Sequence, residues 1–253
     1  MTSASTVLRL DHVAFRVGGV HIVEDVSLSI ETGEMVAVIG PNGAGKTSLL
    51  NLISGTTRAT SGMITLLDHD VTKWKPHQRA RVGLGRTFQT SYLLLGLTVL
   101  ENVRLMAQAK TVGGLSLLRP AGRSDPTSGR ALEALARVGL EDQAGSLAAS
   151  LSHGDRRKVE LAITLVADAK VILLDEPMAG VNVDDVPELV ALIRQLQTET
   201  GSTVVMVEHH MDVVLGLAHR VAVMHHGALI AFDEPKRVMA DATVQSAYLG
   251  EAL

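Results

Sequence analysis

Apolar residues recur along this chain with a period that changes several times, and each change marks an element. Val7 to Val17 and Val20 to Ile30 alternate roughly between apolar and polar positions around Gly18-Gly19, which predicts two antiparallel strands joined by a turn. Met35-Val36-Ala37-Val38-Ile39 is instead a continuous apolar run, the pattern of a strand buried on both faces. It passes through a glycine-rich turn into a helix-like stretch, Lys46 to Ser54. Leu97 to Ala109 and Arg130 to Val138 read as helices, and the Gly-, Pro- and Ser-rich stretch Thr111 to Gly129 between them is predicted to be a loop. A further helix is expected from about Asp155 to Ala167, after which Val171 to Leu174 returns to the buried-strand pattern. Helix Val186 to Glu199, strand Thr203 to Val207, helix Met211 to Ala218 and strand Arg220 to His225 complete the alternation. Such an order predicts an α/β fold with a mostly parallel sheet covered on both faces.

Length and composition narrow this picture. The 253 residues suffice for one large α/β domain with an inserted subdomain, and not for two. A hydrophobic fraction of 46% against 20% charged residues supports a well-filled core. The formal charge of -4 and the lack of a dense Lys/Arg run argue against nucleic acid as a partner. No cysteine is present, so disulfides and thiolate metal sites are excluded. The N-terminal Met1 to Thr6 has no signal-peptide character, and the longest apolar stretches fall short of the roughly 20 residues that cross a bilayer. The expected location is cytoplasmic, with any membrane role supplied by a partner.

Candidate chemistry begins at Gly40-Pro41-Asn42-Gly43-Ala44-Gly45-Lys46-Thr47, which satisfies G-x-x-x-x-G-K-[ST] between a predicted strand and a predicted helix. Its glycines let the backbone curl so that N–H groups point at phosphate oxygens, and the helix N-terminus adds partial positive charge. Lys46 is expected to reach the β- and γ-phosphates, Thr47 to ligate Mg²⁺, and Ser48 to complete the loop. The second half of the candidate site is Val171-Ile172-Leu173-Leu174-Asp175-Glu176, a buried strand that delivers two carboxylates at its C-terminal end, where open α/β sheets bind ligands. Asp175 is expected in the Mg²⁺ shell and Glu176 as the general base that polarises the attacking water. The doublets His209-His210 and His225-His226 carry little metal potential, because adjacent strand residues point to opposite faces.

Further motifs follow in a fixed order: Arg86-Thr87-Phe88-Gln89, then Leu151-Ser152-His153-Gly154-Asp155 opening a helix, then Glu208-His209 after a strand. Together with the phosphate loop they resemble the ABC ATPase family over essentially the whole chain. The resemblance implies a P-loop NTPase (RecA-like) core with an N-terminal antiparallel β-subdomain and an inserted α-helical subdomain. Residues 1–253 would form a single cassette, with 1–88 and 168–253 as core and 89–167 as the helical signature subdomain. It also implies ATP and Mg²⁺ as cofactors. Gln89 would sense Mg²⁺ and link the site to the helical subdomain. Ser152 and Gly154, with Asp155 beside them, would cap the γ-phosphate held by an opposing subunit. Asn182 would occupy the D-loop, and His209 would be the switch histidine that contacts the γ-phosphate, with His210 a bystander.

The implied partners are transmembrane permease subunits, a second ATPase subunit (identical or paralogous) and, indirectly, a solute-binding protein, with the chain peripheral on the inner face of the membrane. Gly85 to Gln89, Glu176-Pro177-Met178-Ala179-Gly180, Val207 to Met211 and Ala247 to Glu251 look like importer subunits for branched-chain amino acids; urea and short-amide importers are similar too. A hydrolysis-impaired regulatory cassette is the alternative of a different class. Two positions depart from the family pattern. Val17 stands where many members place an aromatic residue against adenine, and Phe15 is expected on the other sheet face. Asp155 stands where glutamine is usual.

Overall fold

The expected hairpin forms from β1 (Thr6–Val17) and β2 (Val20–Glu31), paired antiparallel with Val17 opposite Val20. Gly18 and Gly19 both take positive φ, 54° and 86°, as the tight two-residue turn of a right-twisted hairpin requires. The computed structural model describes residues 5–87, 93–112 and 126–249. It comprises two compact units, Met1–Arg86 with Lys170–Pro177 and Gln197–Leu253, and Thr87–Ala169 with Met178–Leu196.

In the first unit, β1 and β2 join β4 (Ser61–Leu66) and β5 (His69–Asp70) in an antiparallel sheet of order β2-β1-β4-β5. The second sheet has the order β10-β9-β3-β8-β7-β6. Its members are β3 (Met35–Ile39), β6 (Leu84–Arg86), β7 (Val171–Asp175), β8 (Thr203–Val207), β9 (Arg220–His225) and β10 (Ala228–Asp233). Pairing is parallel from β9 through β6, and only β10 adds antiparallel at the edge. The continuous apolar runs predicted to be buried strands are so: every residue of β3 and of β8 is buried. Leu10, Val26, Ile64, Leu50, Val38 and Val207 belong to one core joining the antiparallel sheet, α1 (Lys46–Ser54) and the parallel sheet. Each such side chain stabilises by about 1.5–3 kcal/mol.

Helices α2 (Pro76–Val82), α7 (Met211–Leu217), α8 (Pro235–Ala240) and α9 (Ala242–Leu249) complete this unit. From α2 the fully buried Arg79 sends Nη1 to the carbonyls of Leu52 and Ile53, both at 2.6 Å, and so closes the C-terminal turn of α1. Burial lowers its pKa to about 10, against which Asp70 works. Neither β4, β5, α2, β6 nor the elements after β9 were anticipated from apolar periodicity; they are short, and their burial comes from neighbours distant in sequence.

The second unit contains α3 (Val99–Val112), α4 (Pro126–Arg137), α5 (His153–Val166) and most of α6 (Val186–Thr200), whose last residues from Gln197 belong to the first unit. Helices α3, α4 and α5 contact one another pairwise. Both ends of the stretch predicted to be a loop, Thr111 to Gly129, are helical, and residues 113–125 lie outside the described residues. Thr111 and Val112 extend α3, and Pro126 to Gly129 form the first turn of α4, where a proline costs nothing because its missing N–H has no partner in a helix anyway. Among the described residues no helix is long and apolar enough to cross a membrane.

Candidate functional site

The glycine loop lies between the end of β3 and the start of α1, with Gly40 to Gly45 in the turn and Lys46, Thr47 and Ser48 in the first helical turn. Two of its glycines are dictated by neighbours. A Cβ on Gly40 (φ +149°) would fall 2.1 Å from the Met224 carbonyl oxygen, and one on Gly45 (φ +95°) 2.5 Å from that of Ile22. Gly45 precedes α1 in the left-handed conformation with no side chain capping the helix, the arrangement that presents helix N–H groups to an external anion. Lys46 is buried and turns its Nζ back onto the carbonyls of Gly40 (2.7 Å) and Pro41 (2.9 Å). Burial lowers its pKa below the usual lysine value, and the charge of Glu176 acts in the opposite direction. Asn42, Gly43 and Thr47 are exposed, Gly40 and Ala44 are buried, and Pro41, Gly45 and Ser48 are half-buried.

Both carboxylates stand at the C-terminal end of β7, a strand that contacts α1. Asp175 is 2% exposed, and its Oδ2 accepts from Arg86 Nη2 at 3.2 Å; the other arm of that guanidinium donates to Ser54 Oγ at 2.6 Å. Glu176 has φ +50°, uncommon for a residue with a Cβ, and its N–H is held by the Val207 carbonyl at 3.0 Å. Such backbone strain, of the order of 1–3 kcal/mol, concentrates at functional sites. The turn aims the carboxylate at His209, whose Nε2 lies 2.8 Å from Glu176 Oε1. The structure therefore brings the phosphate loop, Asp175, Glu176 and His209 together in one unit, the Lys46–Glu176 interaction linking the two halves.

Other predicted residues lie elsewhere. Val17 is 55% exposed at the hairpin tip, whereas Phe15 packs against the core. Residues two apart on a strand share a face, so the expectation that Phe15 points to the other face from Val17 does not follow from strand geometry; the two differ in exposure, Val17 lying next to the turn. In the second unit Ser152 caps α5 by accepting the Asp155 N–H at 3.0 Å, while its hydroxyl donates to Asp155 Oδ2 at 2.8 Å. Gly154 follows in the first turn, within 4.0 Å of Asp185 Oδ2 as measured from a Cβ built on it, and Asn182 Nδ2 donates to that same oxygen at 3.2 Å. Gln89 lies outside the described residues.

Sequence reasoning gave no role to Arg86, Glu208 or the His210 ring. The His210 ring has a partner of its own: its Nδ1 lies 3.0 Å from Glu208 Oε2. Both Arg86 and Glu208 stand inside motifs already legible in the sequence, which was the available signal. The alternation of faces does not extend to His225-His226. His226 has left the strand at φ +47°, and the two ring centroids are 4.0 Å apart.

A parallel sheet whose strand β3 runs through a curled glycine loop into an uncapped helix, with an acidic strand end alongside, defines a P-loop nucleoside triphosphatase. The chain belongs to the ABC transporter family, whose model matches residues 23–179. It is 36% identical over 251 residues to the high-affinity branched-chain amino acid transport ATP-binding protein LivG of Salmonella typhimurium, covering 97% of this chain and 98% of LivG. An ATP-binding cassette of an ABC transporter in its ADP conformation superimposes with a TM-score of 0.85 at 29% identity, covering 98% of this chain and 100% of that one. A dimeric, post-hydrolysis cassette bound to ADP and Pi gives 0.77 at 27% identity, covering 90% and 98%. The chain is thus an ABC-type ATPase cassette, of a family that binds nucleotide and works as a transporter component.

Proposed function

We propose that this chain is the ATP-hydrolysing subunit of an importer for branched-chain amino acids, working as one cassette of a pair docked on permease subunits at the inner face of the membrane. The observation that carries the catalytic part is the 2.8 Å hydrogen bond between Glu176 and His209 on the same side as the buried Lys46. The import of branched-chain amino acids is supported by near full-length similarity to LivG.

The donors suit magnesium: a hydroxyl from Thr47 and a carboxylate from Asp175 are hard oxygen ligands of the kind that cation takes beside phosphates. Mg²⁺, when bound, neutralises charge on the β- and γ-phosphoryl oxygens. The backbone N–H groups of Gly43 to Ser48 cradle the phosphates, with Gly40, Pro41 and Asn42 shaping the turn. Lys46 exchanges its two carbonyl partners for phosphate oxygens. Glu176 orients water and takes its proton, while His209 holds Glu176 and reaches the γ-phosphate. Gln89 would join Thr47 and Asp175 in holding Mg²⁺, and Ser152, Gly154 and Asp155 would meet the nucleotide of a second cassette. The base rests near Val17. Positioning of this kind carries most of the catalysis in phosphoryl transfer.

The test is reconstitution with the permease and solute-binding subunits of a branched-chain amino acid importer. Mg²⁺-dependent ATP hydrolysis that rises with leucine, isoleucine or valine and disappears with EDTA supports the reading. Stimulation by urea or short amides instead would reassign the solute. No hydrolysis by the wild-type chain, with hydrolysis by a paralogous partner cassette, would make this a regulatory cassette and sink the proposal.

A further inference from the structure

Strand β8 ends at Val207, and the next residue, Glu208, is a buried carboxylate, 2% exposed. Its Oε2 accepts the backbone N–H of His209 at 2.6 Å, the backbone N–H of His210 at 3.1 Å and His210 Nδ1 at 3.0 Å. A carboxylate taken out of water is costly unless donors surround it, and here the donors come from the short segment that carries His209. A cap for α7 alone would need one hydroxyl or short carboxylate from the residue before the helix. His210 sits at that position and makes no side-chain cap. Glu208 instead grips the N–H groups on both sides of His209, so the peptide that aims its imidazole cannot rotate. From that fixed peptide Nε2 reaches Glu176 Oε1 at 2.8 Å.

We infer that Glu208 is a positioning residue for hydrolysis: its buried carboxylate, with the His210 imidazole as a second hook, sets the aim of His209 at Glu176. This rests on the reading that Glu176 and His209 act in ATP cleavage. Glu208 touches no reacting atom; it acts through His209.

Kinetics and NMR on the full chain test it. Glu208→Ala is expected to lower kcat by about 100-fold, the loss that an ångström of misplacement brings, with the dissociation constant for Mg-ATP held within about twofold. Glu208→Gln, which keeps one acceptor oxygen, should recover part of the rate and serves if the alanine variant does not fold. In a His209→Ala background, Glu208→Ala should add less than about a twofold further loss, because the two act as a unit. Equal losses in both backgrounds, or a wild-type kcat in Glu208→Ala, would overturn the inference. The His209 ring resonances supply a readout that needs no turnover: they should move to those of a free imidazole in Glu208→Ala and part of the way there in Glu208→Gln. Unchanged ring signals refute Glu208 as the positioning group, whatever the chain proves to hydrolyse.

Discussion

Two helices of this molecule begin with residues suited to anions, and they begin differently. Helix α1 starts after Gly45 in the left-handed conformation with no side-chain cap, while α5 starts after Ser152, whose oxygen accepts the Asp155 N–H and whose hydroxyl donates back to the Asp155 carboxylate. The first is left open and flanked by a cation, Lys46, that meanwhile satisfies itself on two loop carbonyls. The second is closed on itself and carries a negative charge in its first turn. Equal helix physics thus gives an anion cradle in one unit and a self-satisfied cap in the other. Asp155, which by family pattern is out of place, has a local reason to be there: it completes the cap.

The largest way to break the comparison is on the open side. Glu176→Gln should keep nucleotide binding and lower kcat by about 10²- to 10⁴-fold in a phosphate-release assay, the usual worth of a general base. A loss below tenfold would mean that the chemistry does not run through this strand end. Next in size is Arg86→Ala, which leaves Asp175 buried without the guanidinium that the structure places against it. Breaking such a pair should cost about 3–5 kcal/mol of stability, measured by chemical denaturation; an unchanged unfolding midpoint would show the pair to be dispensable.

Smaller effects sharpen the contrast. Val17→Tyr adds a ring at an exposed position near the proposed base site, and should tighten ATP binding by about 1–3 kcal/mol, or about 5- to 150-fold, in equilibrium titration. Asp155→Gln opens the closed side by removing the charge while retaining a hydrogen-bonding group. Turnover by the assembled transporter should rise by about two- to fivefold, corresponding to about 0.3–1 kcal/mol for a charge at a helix end. Slower turnover would show that the Ser152–Asp155 cap contributes more through rigidity than it opposes through charge.

Comparison of pattern with structure shows where local reasoning reaches its limit. Helix α1 and strands β3, β8 and β9 agree with the periodicity to the residue, because a buried run bounded by turns encodes its own extent. The start of α4 differs from the pattern: Pro126 and Gly129 have loop character, yet a buried face through Ala131, Ala134 and Leu135 draws the helix back over them. Nothing in a strand-end histidine doublet reveals that the neighbouring Glu208 is buried, so the His210 contact is not legible in the sequence.

The amino-acid order by itself determined the hairpin, the alternation of buried strands and helices, the phosphate loop and the acidic end of β7, since each is a contiguous motif whose geometry follows from its own backbone and apolar spacing. Tertiary structure alone decided the partners. Glu176 and His209 are 33 residues apart, and Arg86 and Asp175 are 89 apart. Which strand lies beside which, and so which side chains meet, is set by the shared core and the register of the parallel sheet. Periodicity records that a residue is buried and carries no record of what it is buried against.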